Sequence, residues 1–359
     1  MCFPAKAGTQ PQTRTHLIWS GPRPSPSRAD MFPSPGRVDA LVDPVRVEDR
    51  RDTHRQRPNS RHLDWARCER CRYFRKIKGR YLKIGICAPS TPFTREDAAR
   101  VTALASSTHP AAELIFHEQC FAESGHFAGP DHERRAAFVD MANDPDLDAV
   151  WFARGGYGAC RIAGDAVAAL RSAAGDKIYM GYSDAGNLLG ALYRAKIGRV
   201  CYGPMPADIR RAGGESAIIR ALGWMVSASP QALEPHVQAG EKLAAFNLMT
   251  LAMMVGTPLM PDLKGHVLMV EEVSEYLYGY DRAFFHVTSH LQSAGLAGLR
   301  LGRVSDVLEN DRPFGEGAEE IARRWSAKTG IAYLGRADIG HDADNKIVPF
   351  GLATSSAAT

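Results

Sequence analysis

The chain has 359 residues, 45% hydrophobic and 23% charged, an ordinary globular composition long enough for two compact domains. Its formal charge of +4 is unevenly spread: residues 1–80 hold 18 Lys and Arg against 8 Asp and Glu, which leaves the remainder mildly acidic and removes the charge argument for a nucleic-acid partner. No apolar run approaches the roughly 18 residues that span a bilayer, and residues 1–30 lack a signal-peptide core, so a cytoplasmic protein without a membrane partner is expected.

Residues 1–80 carry 9 of the 22 prolines and no periodic apolar pattern. Such a segment buries too little apolar surface to offset its ordering entropy. It is expected to be a disordered extension, or an upstream stretch included by a misplaced start codon. Its arginines are not interleaved with a stacking set of aromatics, which argues against an RNA-binding arm. Cys68 and Cys71 have the spacing of half a zinc site, but no second pair follows, so no metal is expected. The seven cysteines, odd in number and several within apolar segments, suit reduced thiols.

Order is expected from Tyr81 onward. Tyr81–Ala88 reads as a buried strand, and Thr94-x-x-Asp97 as a capping box that opens a helix to about Ser106. The alternation continues with a strand at Leu114–His117, a helix at Asp131–Ala142 and a strand at Ala149–Ala153. A helix at Gly158–Arg171, a strand at Lys177–Gly181, a helix at Asp184–Ala195 and a strand at Val200–Tyr202 follow. Strands alternating with helices predict a parallel sheet covered on both faces. A helix near Ser216–Val226 closes this first domain, residues 81–228. Residues 229–236, with their prolines, read as a linker. The second domain, residues 237–359, is expected to hold a helix at Phe246–Val255, a strand at His266–Glu271 and a helix at Asp281–Leu291. Further short strands and a helix near Gly317–Thr329 complete it. No internal repeat is evident.

Three places carry chemistry. Gly181-Tyr182-Ser183-Asp184 lies between a predicted strand and a predicted helix. A serine on that turn has the unsatisfied N–H groups of a helix N-terminus behind it, a relative of the nucleophile elbow. Ser183 fits equally well as a plain helix N-cap. Arg154-Gly155-Gly156-Tyr157-Gly158, also between strand and helix, is either an oxyanion or phosphate cradle or simply a tight turn. It matches neither dinucleotide nor Walker A spacing, and no cofactor is implied. In the second half, Glu271 ends an apolar strand with Glu272 and Glu275 nearby, and His341 sits in a loop. The order Ser…Glu…His supplies a hydroxyl, a carboxylate and a base. Singly, each residue also reads as a solvated strand end or a surface loop residue.

With these segments in view, the sequence resembles the LD-carboxypeptidase family of serine peptidases, which includes microcin-immunity hydrolases of the MccF type. The resemblance rests on IGICAPSTPF (84–93), DAVWFARGGYGACRI (148–162), GYSD (181–184), YGP (202–204), the stretch 246–282 and GRADIGHDADNKIVPFG (335–351). It implies a flavodoxin-like N-terminal α/β domain joined to a smaller β-containing C-terminal domain, with the active site in the cleft between them, usually in a homodimer. It implies Ser183 as nucleophile, Glu271 as triad carboxylate and His341 as general base. The oxyanion hole would use backbone N–H groups of Asp184 and Gly156. Gly155, Tyr157 and Asn247 are expected at the substrate site, and Arg154, by its place in the turn, is either the cation that meets a terminal carboxylate or a buried structural arginine. The implied reaction is metal- and cofactor-free hydrolysis of the bond between meso-diaminopimelate and terminal D-Ala of a murein tetrapeptide, in peptidoglycan recycling. Where many members carry Gly-Gly-Asn, this chain has Ala245-Phe246-Asn247, and the chain stops soon after VPFG, so the closing element is expected to be short or absent. Three other readings remain open. One is an MccF-like hydrolase of peptidyl- or aminoacyl-nucleotides, for which Trp224 is available as a nucleobase platform, although its helical surroundings more readily place it in a core. A second is a non-catalytic binding protein that keeps the cleft. A third is an ordinary α/β-hydrolase, which shares the Ser…Glu…His order but needs its nucleophile deep within a single domain.

Overall fold

A computed structural model of the chain describes residues 81–292 and 294–353. The basic segment 1–80, with its Cys68–Cys71 pair, lies outside the described residues. The first set of elements is β1 (Leu82–Cys87), α1 (Arg95–Thr108), β2 (Ala112–Phe116), α2 (Asp131–Asn143), β3 (Ala149–Phe152) and α3 (Ala159–Ala168). It continues with β4 (Ile178–Gly181), α4 (Gly186–Ala195), β5 (Arg199–Tyr202) and α5 (Gly214–Ser227). The second set is β6 (Lys242–Asn247), α6 (Leu248–Met254), β7 (His266–Val273), α7 (Leu277–Gln292), β8 (Gly298–Ser305), α8 (Ala318–Thr329) and β9 (Tyr333–Arg336). Two short strands, β10 (Val348–Pro349) and β11 (Gly351–Leu352), close the chain's path.

The first sheet has the order β10-β5-β4-β3-β1-β2, with β1 to β5 parallel. This is the expected flavodoxin-like arrangement, with the order 2-1-3-4-5. Residues alternate across it. Val150 and Phe152 pack with Phe138, Tyr179 and Leu188 on one face, while Ala149 and Trp151 pack with Ile84, Met180 and Ile218 on the other. Both faces are therefore apolar, as a sheet covered by helices on each side requires. At the start of α1, Thr94 accepts from the Asp97 N–H at 3.1 Å, the capping contact its spacing predicts.

The second sheet has the order β11-β6-β7-β8-β9, with β6 to β9 parallel. Its alternation sets the geometry of the site. Leu243, Ala245, Val267 and Met269 turn toward the core of the first sheet, whereas Ala244, Phe246, Leu268 and Val270 turn toward α6, α7 and α8. By that parity Glu271 belongs to the face shared with the first sheet, and Glu272 to the helix side.

Several boundaries differ from expectation for identifiable reasons. Phe246 and Asn247 end strand β6 rather than open a helix, which starts at Leu248. The apolar run Leu243–Phe246 passes directly into an apolar helix, and periodicity alone does not divide such a run. The helix expected from Asp184 begins as a 3-10 turn, Ser183–Ala185, and becomes α-helical at Gly186. The stretch 229–236 contains the 3-10 turn Pro230–Ala232 and the buried Glu234, whose carboxylate accepts from the Asp338 N–H at 3.1 Å. The closing element is short: β10 adds antiparallel to β5 of the first sheet, and β11 adds antiparallel to β6 of the second. Among the described residues, no helix is long and apolar enough to cross a membrane.

Candidate active site

The site lies where the C-terminal ends of β1, β3, β4 and β5 open into loops, the usual ligand edge of a parallel sheet. Ser183 sits two residues beyond the β4 end with φ of +58°. A non-glycine residue holds such a left-handed value at a cost of about 1–2 kcal/mol, a strain that collects at functional sites. Its side chain caps neither the 3-10 turn nor α4 among the described residues.

The glycine-rich turn after β3 packs directly on this serine. A Cβ at Gly155 would come within 2.9 Å of Ser183 Cβ and 3.0 Å of its Oγ. A Cβ at Gly156, where φ is +109°, would come within 2.5 Å of Thr91. Only glycine fits either position without displacing a neighbour. Thr91 Oγ1 donates to the Gly155 carbonyl at 2.6 Å. Because a trans peptide sets C=O and N–H on opposite sides, this bond turns the Gly156 N–H away from Thr91. The Asp184 N–H lies in the first turn behind Ser183, where no intrahelical acceptor exists.

Asp184 ties the two turns together. Its buried carboxylate accepts from Ser90 Oγ at 2.5 Å, from the Ala159 N–H at 2.8 Å and from Asn187 Nδ2 at 3.2 Å. Burial raises its carboxyl above the usual range, and these donors hold the rise back. Arg134, fully buried, binds the Pro89 carbonyl and, at 3.0 Å, the Gly158 carbonyl, so the loops after β1 and β3 share one anchor.

The second sheet brings Glu271 and His341 to the same place. His341 Nδ1 and Glu271 Oε2 are 2.5 Å apart, with the imidazole 8% exposed and the carboxylate fully buried. Glu271 sits at a register break between β7 and β8, where Gly302 and Arg303 together oppose it. Bulges of this kind re-aim a side chain, and a Cβ at Gly302 would meet Glu271 Cβ at 2.9 Å. The His341 loop is fixed by Arg303, which grips Asp338 and Asp342, and by the Gly340 N–H, which donates to Asn345 Oδ1 at 3.0 Å. The His341 ring packs on Tyr182, with centroids 4.8 Å apart. Burial disfavours its charged form, but the charge and hydrogen bond of Glu271, with Glu272 behind, outweigh that and raise its pKa above the ordinary imidazole value. Arg211 opposes the rise.

Ser183, His341, Gly155, Gly156, Arg154 and Arg211 line one open cavity of about 320 Å³. No hydrogen bond joins Ser183 Oγ to His341 among the described residues; such contacts often tighten only with substrate present. Two of the cavity's cationic residues, Arg210 and Arg211, were not anticipated from the sequence. Arg210 pairs with Asp97 at 2.5 Å, and Arg211 pairs with Asp208 at 2.9 Å. Both arginines follow the end of β5, and the rule that sites gather at the C-terminal ends of parallel strands could have found them. Arg154 is different. It reaches only the Pro92 carbonyl, at 3.3 Å, and no carboxylate lies within ion-pair distance of it among the described residues. Burial, and then the Arg210 cation, disfavour its charge.

The other expected binding residues lie elsewhere. Tyr157 is half-exposed against Phe127 and His126 and does not line the cavity. Asn247 caps α6 through the Thr250 N–H at 2.9 Å and donates to Glu272 at 2.8 Å. Trp224 is packed in the first sheet's core.

Residues 84–203 match the LD-carboxypeptidase N-terminal domain and residues 242–355 the LD-carboxypeptidase C-terminal domain. The chain is 25% identical over 241 residues to the murein tetrapeptide carboxypeptidase of Pseudomonas aeruginosa, covering 63% of this chain and 78% of that one. Its fold is similar to that of muramoyltetrapeptide carboxypeptidase from Oxalobacter formigenes, with a TM-score of 0.61, 24% identity, and coverage of 74% of this chain and 93% of the other. It is likewise similar to the microcin C7 self-immunity protein MccF in complex with aspartyl sulfamoyl adenosine, with a TM-score of 0.61, 18% identity, and coverage of 76% and 92%.

Proposed function

Because the chain belongs to the LD-carboxypeptidase family, we propose that it is a serine-type carboxypeptidase that releases the terminal D-Ala from murein tetrapeptides through an acyl-enzyme. The observation that carries this reading is the meeting of a strained Ser183, a Glu271-bound His341 and an Arg154 without a close ion-pair partner in one cavity. His341 Nε2 takes the Ser183 proton as Oγ attacks the carbonyl carbon of meso-diaminopimelate. The oxyanion that forms is stabilised by the N–H groups of Gly156 and Asp184. Collapse breaks the C–N bond, the D-Ala amine leaves with a proton from His341, and water then hydrolyses the ester by the reverse proton path. Glu271 keeps the imidazole proton on Nδ1 and stabilises the imidazolium.

A carboxypeptidase must recognise a free terminal carboxylate. Arg154, partly desolvated and without a carboxylate of its own, gains most from binding one. Arg154→Ala is expected to lower kcat/KM about 100-fold, mainly through KM, with partial recovery in Arg154→Lys. Steady-state kinetics on the tetrapeptide and on its C-terminal amide check this: amidation should cost the wild type heavily and Arg154→Ala little.

The pH dependence follows from the raised His341 pKa. The neutral imidazole is the active base, and a raised pKa keeps it protonated to higher pH. The acid limb of kcat/KM should therefore be displaced above the ordinary imidazole value of about 6.5. A limb at or below that value would contradict the assignment of His341 as base.

The test of the reading as a whole is D-Ala release from purified murein tetrapeptide, run beside hydrolysis of an aminoacyl sulfamoyl adenosine. Release from the tetrapeptide supports it. A folded protein that leaves the tetrapeptide intact and cleaves the nucleotide analogue would replace it with the MccF-like activity. Trp224, the one aromatic platform offered for a nucleobase, is buried in the core.

A further inference from the structure

Behind the Glu271–His341 pair lies a cluster that the proton path above does not use. Glu271 Oε2 is engaged by His341, but its other oxygen, Oε1, is buried without a partner in hydrogen-bonding geometry among the described residues. Two buried donors have the same deficit: Tyr202 Oη and Asn345 Nδ2. The Tyr202 hydroxyl faces both Glu271 and Asn345. All three side chains are essentially inaccessible to bulk water, with exposures of 0% for Glu271, 1% for Tyr202 and 0% for Asn345.

An unpaired carboxylate oxygen and two unpaired donors in one buried place each carry a cost of about 1–3 kcal/mol. They are complementary, two donors and one acceptor, and the Tyr202 hydroxyl adjoins both of the others. Asn345 is also bound to the loop that carries the imidazole, because its Oδ1 accepts from the Gly340 N–H at 3.0 Å. Its backbone carbonyl accepts from Arg220 at 2.9 Å, which fixes its place against α5. Tyr202 ends β5 and meets the Tyr182 ring edge-on, with centroids 5.7 Å apart; Tyr182 in turn packs on His341. Burial, and then the Glu271 charge, push the Tyr202 phenol far above its usual range, so it remains a donor.

We propose that Tyr202 and Asn345 are positioning residues that donate to Oε1 of Glu271, directly or through one bridging water, and so fix the Glu271–His341 pair. The proposal rests on the catalytic reading above for its consequence, though not for its geometry. The carboxylate would then be held from two sides. β5 holds it through Tyr202, and the His341 loop holds it through Asn345. That arrangement keeps Oε2 aimed at Nδ1 while the imidazole gains and loses its proton.

The sign of the effect on His341 follows. Donors to Glu271 stabilise the bare carboxylate more than the carboxylate already neutralised by an imidazolium. Removing one makes the pair bind its proton more tightly. Groups facing His341 that stay unchanged are Glu272 on β7, Tyr182 after β4, Arg211 after β5, and Asp342 and Arg303 around the loop.

The experiment is an NMR titration of the His341 imidazole, identified among the 12 histidines by its loss in His341→Gln, in the wild type, Tyr202→Phe and Asn345→Ala. Tyr202→Phe removes only a hydroxyl and is expected to raise the His341 midpoint by about half to one pH unit. It should also lower kcat about 10-fold with KM little changed. Asn345→Ala should shift the midpoint in the same direction, with a lower melting temperature because Gly340 loses its acceptor. An unchanged midpoint in folded Tyr202→Phe overturns the proposal. The titration needs no turnover, so it decides this point even if the tetrapeptide proves not to be the substrate. That separate failure would be read from D-Ala release alone.

Discussion

Ser183→Ala is expected to abolish D-Ala release, with kcat lower by a factor on the order of 10⁴–10⁶. The hydroxyl is the only atom removed. Cβ stays against Gly155, and the backbone is held by contacts that do not involve Oγ: the Asp184 carboxylate on Ser90 and the Ala159 N–H, and Thr250 Oγ1 donating to the Ser183 carbonyl at 3.3 Å. The melting temperature should therefore stay near that of the wild type, and the tetrapeptide should still bind. Calorimetric titration of the variant, run beside the release assay, checks both halves. A variant that still releases D-Ala at wild-type rate would remove Ser183 from the reaction.

The second large effect is expected at Glu271. Glu271→Gln has nearly the same shape but presents either an N–H or a neutral carbonyl to His341 Nδ1. An amide N–H there would force the imidazole proton onto Nε2, the nitrogen that must accept from Ser183, and kcat should fall by about 10⁴. Loss of the negative charge also removes the influence that raises the His341 pKa, so any residual activity should have its acid limb shifted to lower pH. Stability is expected to hold or rise, because a fully buried carboxylate costs more to desolvate than the neutral amide that replaces it. A pH–rate profile and a melting curve on the same preparation test these statements together.

Much of the site was legible in the sequence because reactive residues fall at strand ends. The predicted strands ending near Ala153 and Gly181 put Gly155, Gly156 and Ser183 on one edge of a parallel sheet. The choice of Glu271 over Glu272 came from family resemblance, but the alternation His266-Val-Leu-Met-Val-Glu-Glu contains a physical reason. Residues 267, 269 and 271 share a face, and that face meets the first sheet. The reason is usable only once the packing side is known. Strand β6 is hidden in the sequence because its apolar run merges with that of α6, and Asn247, expected at the substrate site from the family pattern, is the cap joining the two elements. Arg210 and Arg211 were missed because nothing local distinguishes them from surface arginines. Their meaning comes from Asp97, 113 positions from Arg210, and from Asp208, three positions from Arg211. Tyr202 and Asn345 lay inside quoted motifs without a role, because the atom they share, Glu271 Oε1, belongs to another sheet.

The pairing of β10 with β5 and of β11 with β6 has a bearing on the order in which the molecule can be completed. During synthesis, β1 to β5 can find one another as they emerge, but the outer edge of β5 must wait for Val348 and Pro349. The same late segment follows His341 by a few residues and reaches the second sheet through Gly351 and Leu352. A nascent chain that has made the turn at Ser183 thus still lacks His341 and has an open sheet edge. Contacts spanning that much sequence form late. The cavity that holds both Ser183 and His341 is therefore completed only after this late segment is in place.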